Sequence, residues 1–340
     1  MLTAINVPDL SPADDGFTEI RTRHPLQWVR LSGLPAGGIE RHINLVRLSR
    51  YRAALQAALA AKPESFVVSH LPLMTAAVAH VLKFRRNHVP HLGFAFNFTQ
   101  LPTGLRYRYM QKAVHDVDQL AVFSGYEKKR YAEYFDLNPD RIVPVAWAHD
   151  PPPVQSEPGI LVERPYLCAI GNQGRDFRLL MEVARRLGPS VPIVLIAGAE
   201  NLEGLAVPEN VHIVTNCPSA RTWRIAIDSD GVLVPLLGRD TCCGHITLVS
   251  AKLLGLPIAT TYAHATNEYT LGRAAVLQCE PSDVSAFVNL ARQMVEEHSS
   301  LKKLAQAAIT VERDVHGRHQ WAKYIDDFIE GIKNYRASKK

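Results

Sequence analysis

The sequence predicts an α/β protein of two domains, each a parallel sheet flanked by helices, with the two sheets facing a cleft. Three observations predict it. Short apolar runs alternate with stretches of helical periodicity from one end of the chain to the other, which is the pattern of repeated βαβ units. At 340 residues the chain is too long for one typical core. Near the middle, Asp150 is followed by three prolines and then by Gln155, Ser156, Glu157, Pro158 and Gly159, the clearest linker in the chain. A proline-rich linker is stiff and would hold two halves at a defined separation.

The elements follow in order. Residues 1–25 read as polar and irregular, apart from a short strand at 5–7. Trp28, Val29 and Leu31 mark a strand at 28–31, and Pro35, Ala36, Gly37 and Gly38 make a turn. Residues 39–59 read as helix. Phe66, Val67 and Val68 form an apolar strand that ends at Ser69 and His70. Helix is predicted over 74–83, strand over 92–96, helix over 106–114, strand over 120–123, helix over 126–135 and strand over 142–145. The second half repeats the rhythm. Strands are expected at 166–170, 193–197, 211–214, 231–235 and 274–277, and helices at 177–187, 223–227, 284–296, 301–309 and 321–332. The domain limits read as 1–150, 151–316 and a closing helical segment at 317–340.

Hydrophobic residues make up 47% and charged residues 21%, which suits an ordinary globular protein. The net charge of +5 suits an anionic ligand or an acidic membrane surface, and no basic run interleaved with aromatics argues for nucleic acid. No apolar run is long enough to span a bilayer, and the first residues lack the pattern of a signal peptide. The five cysteines are odd in number, two are adjacent, and none stands in a CxxC pair. A disulfide framework or a zinc site is therefore not expected, and a reducing cytoplasm is the expected setting.

Residues 238–261, GRDTCCGHITLVSAKLLGLPIATT, read as loop, helix and strand. Gly244 opens the helix, Leu248, Val249, Leu253 and Leu254 give its spacing, and Gly255 with Pro257 stops it. A glycine loop feeding a helix N-terminus presents free backbone N–H groups and the positive end of the helix dipole, a ready site for phosphate. The competing reading is an ordinary loop–helix–strand unit.

Five segments, in this order, carry a resemblance to a known family. They are Gly37-Gly38-Ile39-Glu40-Arg41-His42; Phe123-Ser124-Gly125-Tyr126-Glu127 with Val143-Pro144-Val145-Ala146-Trp147 through Asp150; Gly174-Arg175-Asp176-Phe177; Asp230 through Pro235; and Gly244-His245-Ile246-Thr247 through Pro257. The chain resembles glycosyltransferases of the GT-B fold, two Rossmann-like domains around a cleft, and within them the large retaining family of bacterial polysaccharide glycosyltransferases. The resemblance implies a nucleotide sugar bound mainly by the second domain and an acceptor, saccharide or lipid-linked, against the first. It implies no metal and no other cofactor. Arg175 would hold and stabilise the leaving diphosphate through its bidentate fork, with Arg178 or Arg239 as a second basic residue. Gly174, Gly244, His245, Ile246 and Thr247 belong to the same donor site, where they would offer backbone amides and a hydroxyl. The family carries two glutamates flanking this loop. Here Ser250 stands at the ribose-side position, and Thr241 or Cys242, with Asp240 just before, near the other. Gly37 and Gly38 would let the backbone approach a ligand. His70 would contact the donor sugar, or act as general base if the reaction inverted configuration.

Two motifs point elsewhere. Asp228-Ser229-Asp230 matches a metal-binding DxD, but it precedes a strand and reads as a helix-to-strand turn. Cys242-Cys243 beside His245 lacks a second ligand pair for a metal. Arg106, Tyr107, Arg108, Tyr109 and Lys112 form a basic aromatic patch, suited to an acceptor, to peripheral membrane contact at the inner face, or simply to solvent. A nucleotide-sugar epimerase of the same fold and a non-catalytic nucleotide-sugar-binding relative are the competing functions. A Rossmann dehydrogenase is disfavoured, because no GxGxxG follows an early strand.

Overall fold

The computed structural model describes residues 1–9, 16–36, 46–159 and 162–338. The chain forms two compact units, Met1–Ala146 with Arg318–Lys340, and Trp147–Gly317.

In the first unit the chain runs β1 (Leu2–Val7), β2 (Leu26–Arg30), α1 (Val46–Ala60), β3 (Ser65–His70), α2 (Pro72–Leu82), β4 (His91–Phe94), α3 (Gly104–Val114), β5 (Gln119–Val122), α4 (Gly125–Phe135) and β6 (Ile142–Pro144). The sheet order is β2-β1-β3-β4-β5-β6 and every pairing is parallel. β3 is buried along its whole length, as a central parallel strand must be. The opening residues differ from expectation. The predicted strand at 5–7 is a six-residue strand inside the sheet, with Ala4, Ile5 and Val7 buried. Thr3 and Asn6 break its apolar run, which is why composition alone makes it look irregular.

Strand order reverses between β1 and β3, so the carboxyl ends of these two strands flank the switch point of the sheet. α4 begins with a reciprocal cap. Ser124 Oγ accepts from the Glu127 amide at 3.2 Å, while Glu127 Oε2 accepts from Phe123 N at 3.0 Å and from Ser124 Oγ at 2.9 Å. Tyr131 Oη donates to Glu127 Oε1 at 3.3 Å. The Phe-Ser-Gly-Tyr-Glu segment thus has a structural job. Because Glu127 is fully buried, Glu127→Ala leaves these donors unsatisfied and is expected to cost about 2–4 kcal/mol in denaturant unfolding. A cost below about 0.5 kcal/mol would contradict this account.

The second unit runs β7 (Leu167–Ile170), α5 (Phe177–Leu187), β8 (Ile193–Ile196), β9 (Val211–Val214), α6 (Ser219–Asp228), β10 (Val232–Val234), α7 (His245–Leu253), β11 (Ile258–Thr261), α8 (Asn267–Thr270), β12 (Val276–Cys279), α9 (Val284–Glu296) and α10 (His298–His316). Its sheet, order β12-β11-β10-β7-β8-β9, is again all parallel and reverses between β7 and β10. That is the order of a dinucleotide-binding sheet.

The chain passes from the first unit to the second at Ala146, ahead of the three prolines. The proline segment belongs to the second unit. Gln155 N donates to Ala220 O at 3.2 Å, and Gly159 sits so close to Ile225 on α6 that a β-carbon would meet its side chain at 2.4 Å. α11 (His319–Ser338) returns to the first unit. There Trp321 Nε1 donates to Ala146 O at 2.9 Å, the Trp321 ring packs on Phe17 and Phe94, and Asp326 accepts from the amides of Arg23 and His24.

Candidate functional site

The site of interest lies at the strand-order reversal of the second sheet. β7 ends at Ile170, and the chain turns through Gly171 and Gly174 before α5. Gly174 has φ 69°, and a β-carbon on it would stand 2.8 Å from Cys243 Cβ and 3.0 Å from Thr241 Cγ2. Both conformation and space therefore require glycine. The turn delivers Arg175, which pairs as a short antiparallel bridge with Leu236, just beyond β10. Asp176 then caps α5 by accepting from Leu179 N at 2.9 Å.

The Arg175 guanidinium is drawn inward, and the residue is only 7% exposed. Nε donates to Ile170 O at 3.2 Å, Nη1 to Gln173 O at 3.1 Å and Nη2 to Thr247 Oγ1 at 3.0 Å. All three acceptors are neutral, and among the described residues no carboxylate lies within ion-pair distance of it. Burial lowers its pKa to about 10, so it stays cationic at neutral pH. A buried cation without a counter-charge is costly. A polyanionic ligand would supply the missing charge.

Gly244, with φ 109°, starts α7 with no side-chain cap. A β-carbon there would stand 3.8 Å from Arg175 Nη1, so the guanidinium lies at the helix start. The first turn of a helix leaves its amides without intrahelical acceptors, and here those belong to Gly244, His245, Ile246 and Thr247. The Ile246 side chain is exposed, so its contribution is its backbone. The His245 ring turns inward, with Nε2 3.1 Å from Ala265 O and its edge against Tyr269. Burial lowers its pKa to about 4 and keeps it neutral. It fixes the helix start rather than facing a ligand. The structure thus brings together Gly174, Arg175, Gly244, His245, Ile246 and Thr247.

Ser250 lies one turn further along α7 and is buried, with Oγ 3.1 Å from His149 Nε2. His149 N donates to His316 O at 2.9 Å, and Trp147 N donates to Tyr269 Oη at 2.9 Å. The expected ribose-side residue is therefore joined to the segment just ahead of the prolines. Sequence reasoning gave His149 no role. Its place in Ala146-Trp147-Ala148-His149-Asp150, inside a segment already singled out, was the available signal.

The remaining expected residues stand apart. Arg239 pairs with Glu280 at 2.8 Å and lies over the Tyr262 ring at 5.4 Å, both of its charges largely in solvent. Arg178 is exposed on the first turn of α5. Gly37 and Gly38 lie outside the described residues, as does the start of the helix expected at 39–59. His70, in the first unit, has Nε2 2.7 Å from Asn6 Oδ1 and packs edge-on against Phe17 and Phe94. Burial lowers its pKa to about 3. Asp228 accepts from Arg224 at 2.6 and 2.9 Å, and Asp230 accepts from Arg164 with His298 Nδ1 at 3.2 Å. Both carboxylates of the DxD are thus held by neighbouring side chains. Among the described residues no group of three or more His, Cys, Asp or Glu is arranged to hold a metal. No helix is long and apolar enough to cross a membrane among those residues.

No protein-family model matches the chain, and no curated protein matches its sequence. Solved structures do match its fold. A glycosyltransferase from Rickettsia africae superposes with a TM-score of 0.71 at 12% identity, over 97% of this chain and 98% of its own. Anabaena HepE in complex with UDP-glucose gives 0.71 at 11% identity, over 98% and 99%. Sucrose-phosphate synthase from Thermosynechococcus elongatus gives 0.70 at 14% identity, over 98% and 89%. The likeness spans both units. The chain has the GT-B fold, as its motifs led one to expect.

Proposed function

We propose that the protein is a glycosyltransferase that moves a sugar, of the hexose kind, from a nucleoside diphosphate to a saccharide or lipid-linked acceptor, without a metal and with retention of configuration. Polysaccharide assembly in the cytoplasm, at the inner face of the membrane, is the setting this reading implies. The observation that carries it is Arg175, a buried cation with neutral partners at the open N-terminus of α7. A diphosphate bound there would meet the guanidinium and the first amides of α7 together. As the glycosidic C–O bond breaks, the electron pair leaves with the diphosphate, and charge grows where these donors already point. That arrangement takes over the neutralising work a metal would otherwise do.

The acceptor hydroxyl must lose a proton as it attacks. An imidazole with a pKa of about 3, as for His70, is too weak a base for that near neutral pH. This favours transfer of the proton to an oxygen of the departing diphosphate, the route a retaining reaction allows.

Calorimetry of the intact chain with UDP and GDP, in buffer containing a chelator, tests the reading. Binding of one of them with a Kd on the order of 1–100 μM is expected, followed by slow hydrolysis of a matching sugar nucleotide. Binding without turnover of any sugar nucleotide, in a protein whose ribose-side residue is Ser250, would favour the non-catalytic relative. Absence of any nucleotide binding would remove both readings and the epimerase with them.

A further inference from the structure

α1 has two faces of different character. Ser49, Ala53, Ala54, Ala57 and Ala58 are buried against the first unit. On the opposite side Leu48, Tyr51, Leu55 and Leu59 are exposed, with Leu59 at 76%. Steps of three or four residues place them in one line, about 16 Å long at the rise of an α-helix. Just past α2 stands Phe84, 88% exposed. Its neighbour Arg85 donates to the carbonyls of Ala58 and Ala61, which fastens this turn to the end of α1. Four exposed leucine and phenylalanine side chains joined by a tyrosine make a contiguous apolar stripe, which scattered surface residues would not.

The charge around the stripe is mainly positive, and the nearby acids Asp9 and Asp116 are taken up by Arg50 at 2.7 Å and Lys83 at 2.9 Å. α1 carries three arginines and no Asp or Glu, and α3 carries two arginines and a lysine with no Asp or Glu. Tyr51 Oη and Tyr109 Oη lie 3.0 Å apart and tie the two helices together. Arg47, Arg86, Arg106, Arg108 and Lys112 are exposed. A face turned only to water has no need of exposed leucines. Apolar side chains set in mainly basic surroundings are complementary to an anionic bilayer.

We propose that α1 lies flat on an anionic lipid surface, its leucines and Phe84 in the headgroup boundary and Arg47, with Arg106 and Arg108 of α3, among the lipid phosphates. This deepens the reading of a lipid-linked acceptor by naming the surface that would meet the membrane, and it rests on that reading only for its purpose.

The test is co-sedimentation of the full chain with vesicles of phosphatidylcholine alone and with vesicles of phosphatidylcholine and phosphatidylglycerol in roughly a 2:1 ratio. Binding to the anionic vesicles only, weakening as salt rises, is expected. Leu55→Glu with Leu59→Glu should lower the partition coefficient about tenfold or more, and Arg106→Ala with Arg108→Ala about tenfold. All four positions are exposed, so folding should be unaffected, and binding of whichever of UDP and GDP the unaltered protein takes checks this on the same samples. Equal binding to both vesicle types, no binding to either, or full binding by the leucine variant would overturn the proposal. So would a concentration-dependent dimer abolished by the same leucine changes, which would assign the stripe to a second copy. Absence of both UDP and GDP binding in the unaltered protein, with vesicle binding kept, would count against the glycosyltransferase alone.

Discussion

Arg175→Ala is expected to lower donor affinity and turnover together by on the order of 10²–10³-fold, while leaving the unliganded protein at least as stable as before. The second half of that expectation makes it diagnostic. Arg175 holds three hydrogen bonds to neutral acceptors, yet it keeps a positive charge where water is excluded. Removing it sacrifices those bonds and also removes an unbalanced buried charge, and the two effects oppose each other. A residue present only for architecture would behave differently. Its loss would lower the unfolding temperature and leave the folded fraction binding nucleotide normally. Arg175→Lys keeps the charge but loses the planar fork that reaches Ile170, Gln173 and Thr247, so about a tenfold loss is expected. Calorimetry with UDP and thermal unfolding on the same samples separate the cases. A less stable variant with unchanged affinity would sink the assignment.

Glu312→Leu is the change expected to cost most stability, about 3–5 kcal/mol in denaturant unfolding. Lys252 and Glu312 are both buried, with Nζ 3.4 Å from Oε2. Arg273 Nη1 stands 3.9 Å from Oε1 and His316 Nε2 3.3 Å from Oε2. Burial raises the Glu312 carboxyl, but His316, Lys252 and Arg273 outweigh it and hold its pKa below the usual value. Lys252 fares worse, since burial outweighs the attraction of Glu312 and lowers its pKa to about 8. Without Glu312, Lys252 would be a buried cation with nothing opposite it. Adding Lys252→Met should therefore restore most of the loss, and a double variant as unstable as the single one would refute this account.

The same pair sets two pH trends of the same sign, one in the acid range and one in the alkaline range. The contribution of Glu312, its folded pKa being depressed, is present above the unfolded value and lost as pH falls through the folded one. Lys252 acts at the alkaline end. Between about 8 and the ordinary value of 10.5 the native state has already released the proton that the unfolded chain retains. Lys252 therefore makes the protein gain stability with rising pH across that window.

Both sheets were legible in the sequence because parallel strands buried on two faces leave runs such as Phe66-Val67-Val68 and Ile193-Val194-Leu195-Ile196, bounded by helices. β1 was nearly missed for the converse reason. Its Thr3 and Asn6 interrupt the run, and Asn6 is kept inside by His70. α10 runs from His298 to His316, well past the expected 301–309, because its last turns bury Glu312 and His316 instead of leucines. No hydrophobic period marks a face whose inward residues are polar. Within the site, Arg175 and Gly244 could be read because a glycine before a helix and a basic residue after a strand are local patterns. Ser250 with His149, 101 residues apart, and the packing of Cys243 on Gly174 could not, since they depend on where distant loops meet.

The first unit is discontinuous, made of Met1–Ala146 and a C-terminal segment beginning at Arg318, while the second is one unbroken stretch. Seen as an order of synthesis, this inverts the usual sequence, in which the N-terminal domain completes first. When Ala146 has left the ribosome, Phe17 and Phe94 still lack Trp321, and the amides of Arg23 and His24 still lack Asp326. The inserted unit has all its strands long before those partners exist. The nascent first unit must therefore wait, with an aromatic surface uncovered, until Trp321 and Asp326 have been made.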